Sequence, residues 1–160
     1  MNRIRSILVA LGAAFMLTVA VSALGQTAVA HKHNLLGESI GLVGYDPLSY
    51  FPEGGGKPQK GSIKISMAHD GVTYRFASNE HLELFKADPE KYLPQYGGWC
   101  AWASGALNKR VDADPESYVV RNGKLYVFYR DPGLETRALW LKDSDNLIGK
   151  ADENWPSLQQ

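Results

Sequence analysis

Four histidines and one cysteine carry most of the coordination chemistry in this 160-residue chain. His31-Lys32-His33 is one group. If a cut leaves His31 first, its free amine, two amide nitrogens and the His33 imidazole form a square-planar nitrogen set, which suits Cu(II) or Ni(II). The alternative is a solvated tail with incidental histidines. Cys100 stands between Trp99 and Trp102, just after Gly97-Gly98. As a thiolate, with His81 as a second ligand, it would take Cu(I) or another soft metal. As a small hydrophobe it would be buried and inert. Trp99, Trp102 and Tyr96 would either line a pocket around it or pack as core. His69 and His81 have no His-x-x-x-His or Cys-x-x-Cys partner. A metal site therefore requires convergence in space.

The compartment decides what these groups mean. Arg3 and Arg5 precede an uncharged apolar run from Ile7 to Leu24, and Ala28-Val29-Ala30 follows a polar break. This is the three-part pattern of a secretory signal over residues 1–30, with cleavage expected after Ala30 and a second possible cut after Gly25. The rival reading is an uncleaved anchor, the chain's only expected membrane contact. Export places the protein in the periplasm or outside the cell. Removing Arg3 and Arg5 leaves fifteen Lys and Arg against seventeen Asp and Glu. That balance offers no footprint for nucleic acid. A single cysteine excludes an internal disulfide.

The elements that must position these groups are legible in part. Residues 31–39 read as a flexible mature N-terminus. Ile63, Ile65 and Met67 alternate with polar residues, Asp70-Gly71 is a hairpin turn, and Val72, Tyr74 and Phe76 alternate again. This predicts His69 opposite Val72, Met67 opposite Tyr74 and Ile65 opposite Phe76. Ser78 is a helix N-cap, and Pro89 restarts the helix after Asp88. A second hairpin over 118–121 and 124–129 turns at Asn122-Gly123. It is apolar on both faces and is expected near the sheet centre. Leu134, Ala138 and Leu141 suggest one helix, and Ile148, Ala151 and Trp155 another turn or two. The pattern is α+β, a small antiparallel sheet of two hairpins with helices packed on it.

Several strings occur together: Gly44-Tyr45-Asp46-Pro47-Leu48-Ser49-Tyr50-Phe51, Asp70-Gly71-Val72-Thr73-Tyr74-Arg75-Phe76-Ala77-Ser78, Tyr96-Gly97-Gly98-Trp99-Cys100-Ala101 and Asn154-Trp155-Pro156. Over roughly 40–158 the chain resembles the exported members of the YHS domain family. The resemblance implies a small α+β domain and, in cysteine-bearing relatives, handling of heavy metals. Where those relatives carry cysteines, this chain has Ser49, Ala77 and His81. Serine is a poor soft-metal ligand and alanine none. The leading expectation is an exported, non-enzymatic domain that binds a transition metal, copper first or nickel. His31 and His33 form one candidate site, Cys100 and His81 another. The alternatives are an interaction module without metal, docking on a protein partner, and a thiol-dependent or cofactor-binding protein using Cys100. No nucleophile elbow, phosphate loop or zinc-hydrolase helix is present, which points away from an enzyme.

Overall fold

The computed structural model describes residues 32–160; the signal segment, both cut sites and His31 lie outside them. The first hairpin pairs β3 (Ser62–His69) with β4 (Val72–Phe76). Asp70 and Gly71 both take positive φ, 49° and 79°, as a tight turn that follows strand twist requires. His69 faces Val72 and Met67 faces Tyr74, as the alternation predicts. The expected pairing of Ile65 with Phe76 does not form. A register shift between Ser62 and Ser66 puts Phe76 opposite Ser62. The extra residues turn the start of β3 off the core face, and Ile63 is left 74% exposed.

Two short strands, β1 (Leu35–Leu36) and β2 (Ile40–Gly41), complete a four-stranded sheet in the order β1-β2-β4-β3, with β2 parallel to β4. The N-terminal segment, read from sequence as flexible, is tied down here. Asn34 N–H donates to Gly97 O at 2.9 Å, and Asn34 Nδ2 to Gly98 O at 3.2 Å.

The second hairpin, β5 (Asp114–Arg121) and β6 (Lys124–Phe128), does not join that sheet. It is apolar on both faces because β6 divides two cores. Successive side chains on a strand point to opposite faces. Leu125 and Val127 enter a core with Leu48, Val72, Phe76 and Phe85. Tyr126 and Phe128 enter another with Tyr96, Trp140, Leu147 and Ala151. Arg130–Asp131 (β7) and Leu134–Glu135 (β8) form a third small pair.

Helix α1 (Asn79–Ala87) starts where predicted, with the Ser78 hydroxyl accepting His81 N–H at 3.1 Å. Helix α2 (Pro89–Tyr92) has Pro89 in its first turn. Helix α3 (Ala101–Ala106) follows Cys100, and α4 (Thr136–Trp140) precedes α5 (Ser144–Leu158). Helix α5 runs for 15 residues, well beyond the turn or two expected. The fold is α+β. No helix among the described residues is long and apolar enough to cross a membrane.

Candidate functional site

The three positions where the resemblance implies metal ligands do converge, and they converge on a closed knot. Asp46 is fully buried. Its Oδ1 accepts Leu48 N–H at 2.8 Å. Its Oδ2 accepts Ala77 N–H at 2.8 Å and pairs with His81 Nδ1 at 2.5 Å. The Ser49 hydroxyl donates to Asp46 O and accepts Gln59 N–H. Here an Asp–His pair fastens the first helix to the Asp46-Pro47 turn. These residues do not fit a soft-metal ligand set.

The expected Cys100–His81 site does not assemble. Among the described residues, no group of three or more ligating side chains includes either residue. Cys100 is fully buried. Its Sγ lies 3.3 Å from Thr136 Oγ1, whose own O–H donates to Tyr129 O at 2.9 Å. Full burial closes the sulfur off from solvent reagents. The sulfur lies against an apolar cavity of about 140 Å³ bounded by Trp102, Leu107, Val111 and Leu134. Trp102 alone of the three expected aromatics lines it. Trp99 instead carries Arg110 over its ring, 5.8 Å from the centroid. Tyr96 lines a different cavity.

That second cavity, about 220 Å³, lies where the two cores meet, with Tyr74 from one and Tyr96 and Trp155 from the other. His33, Asp70 and Glu90 all line it. His33 is 8% exposed, and its Nε2 is buried without a hydrogen-bond partner. The donor atoms of His69, Asp70 and Glu90 lie within 4.8 Å of one another. His69 Nε2 meets Glu90 Oε1 at 3.1 Å, and the His69 ring stands edge-on to Phe85 at 5.9 Å. The geometry follows from local chemistry. The tight turn puts Asp70 directly after His69 at the hairpin end. Pro89 starts a helix whose second residue is Glu90. The bonds from Asn34 to Gly97 and Gly98 carry His33 in from the N-terminal side. One imidazole and two carboxylates, those of His69, Asp70 and Glu90, suit a borderline divalent ion such as Cu(II), Ni(II) or Zn(II), and His33 lines the adjoining cavity.

Burial first, and then Lys32, push the His33 imidazole from its ordinary 6.5 down to about 4, while Asp70 opposes the shift. The ring is therefore neutral at pH 7. In the unfolded chain it takes up its proton near 6.5, before the folded form does. The unfolded state thus binds more protons between those values, so stability falls as pH drops from 6.5 towards 4. Urea titrations across that window are expected to show this fall in the native chain and a smaller one in His33→Gln.

Asp70 and Glu90 are functional candidates that sequence reasoning missed. Asp70 was accounted for as a turn residue, and Glu90 carried no reading of its own. The one local signal was the adjacency His69-Asp70, and only the packing of α2 on the hairpin brings Glu90 to it. His31, the other tail ligand expected, lies outside the described residues. Comparison with family models, with curated proteins and with solved structures finds no match for this chain.

Proposed function

We propose that this chain is an exported, non-enzymatic domain of YHS type that holds one divalent transition-metal ion, copper first, in the cavity entered by His33. The observation that carries the reading is the cluster at the hairpin end, where the donor atoms of His69, Asp70 and Glu90 lie within 4.8 Å of one another. A metal site needs convergent donors of this kind. His33 lines the cavity that Asp70 and Glu90 share. His33, His69, Asp70 and Glu90 are the proposed donors. Copper(II) leads because divalent affinities rise to copper along the first row. This site competes with the tail arrangement expected from sequence. His33 cannot stay in the cavity and also close a chelate with the backbone amides before it.

Zinc separates the two, since the square-planar tail set favours copper and nickel. Calorimetry on the processed chain is expected to give one Cu(II) and one Zn(II) site, both tighter than micromolar. His33→Ala and Glu90→Gln should each weaken zinc by about tenfold or more, while Cys100→Ala leaves it unchanged. Zinc binding weaker than micromolar, or indifferent to His33→Ala, would overturn the proposal.

A further inference from the structure

The cavity is larger than one ion requires. Its volume of about 220 Å³ compares with roughly 30 Å³ for a water in the liquid. It falls below the roughly 300 Å³ at which drug-sized sites begin, so any organic occupant is small. The proposed metal donors also leave part of the lining unused. Asp152 and Trp155 are one turn apart on α5 and share a helix face. Tyr96 joins them: its hydroxyl donates to Asp152 Oδ1 at 2.9 Å, and its ring meets Trp155 edge-on at 5.9 Å. Burial and then Asp152 raise the Tyr96 hydroxyl above its ordinary range, so it stays a donor. Among the described residues, Asp152 Oδ2 has no hydrogen-bond partner.

We infer that this half of the cavity binds the protonated amine of a small aliphatic ligand. A carboxylate oxygen with a free lone pair beside two aromatic rings is ammonium-recognition chemistry, combining a charge-assisted hydrogen bond with cation–π attraction. Leu93 and Pro94, also in the lining, give an alkyl stem an apolar surface. Three carboxylates line the space, Asp70, Glu90 and Asp152, against the single ammonium of Lys32. A field of that sign gathers cations. The inference does not depend on the metal reading, because Asp152, Trp155 and Tyr96 are not among the proposed metal donors. The two occupants would share one cavity, and like charge predicts that each weakens the other reciprocally.

The probe is n-butylamine at pH 7, with n-butanol as the neutral isostere, titrated by calorimetry into the processed, metal-free chain. The amine is expected to bind with a Kd of about 1 mM or tighter, and butanol not to bind. Asp152→Asn keeps an acceptor for Tyr96, so the fold is retained while the charge is lost. It should weaken the amine about tenfold and leave zinc affinity within about twofold. Trp155→Leu should also weaken the amine. Amine binding that is absent at about 10 mM, equal to butanol, or unchanged in Asp152→Asn overturns the inference. Amine binding without zinc binding leaves it standing and overturns the metal reading alone.

Discussion

Asp46→Ala is expected to destabilise the fold by about 4 kcal/mol, more than any other single polar substitution among the described residues. The carboxylate is fully buried and every one of its contacts is local to the knot. Truncation strands two backbone donors, Leu48 N–H and Ala77 N–H, and the His81 ring nitrogen. Each orphaned buried donor costs about 1–3 kcal/mol, and partial relaxation keeps the total below their sum. For a domain of this size the loss should lower Tm by about 10–20 °C. His81→Ala removes only one of the three donors, leaves the carboxylate bonded to both amides, and should cost about half as much. Asp46→Asn keeps an acceptor for one amide and should fall between the two. The order alanine at 46, asparagine at 46, alanine at 81, read from urea melts, tests whether the knot works through all three partners. A loss under about 1 kcal/mol for Asp46→Ala would mean that the carboxylate is dispensable.

That knot also shows what the sequence can and cannot disclose. Its local half was readable: Ser78 caps α1 as its residue type and place suggest, and Pro89 restarts the helix. Its other half joins His81 to a carboxylate 35 residues earlier, and no periodicity records such a meeting. The first hairpin repeats the lesson. Turn chemistry set the pairs nearest Asp70-Gly71, where His69 meets Val72. The bulge then broke the alternation that placed Ile65 opposite Phe76. The second hairpin was apolar on both faces, as read. Burial between two cores produces the same pattern as burial inside a sheet, so the pattern alone could not place it. His33 was singled out as part of a tail, and it lines a cavity instead. A short polar segment ahead of the first strand reads as a tail, and only the carbonyls of Gly97 and Gly98 show it to be held.

The second large effect follows from how it is held. Gly97→Ala is expected to weaken zinc about 100-fold, although Gly97 is not a proposed ligand. Gly97 has φ +59°, and a methyl group there would overlap the Lys32 carbonyl oxygen and lie 3.2 Å from His33 Cα. The carbonyl is backbone, so relief requires the N-terminal segment to lift, and His33 leaves the cavity with it. Left-handed φ alone costs alanine roughly 1–2 kcal/mol, and that part must be separated from the clash. Gly123 supplies the control: φ is +71°, and nothing lies within 4 Å of an added methyl. Gly123→Ala should therefore lose comparable stability from strain and keep its zinc affinity. If Gly97 acts through His33, the double variant Gly97→Ala/His33→Ala should bind zinc no more weakly than the weaker single variant. Additive losses in that cycle would mean that Gly97 reaches the site by another route. The Tyr96-Gly97-Gly98 stretch then has a physical purpose: a glycine at 97 lets one backbone lie against another and holds His33 at the wall of the cavity.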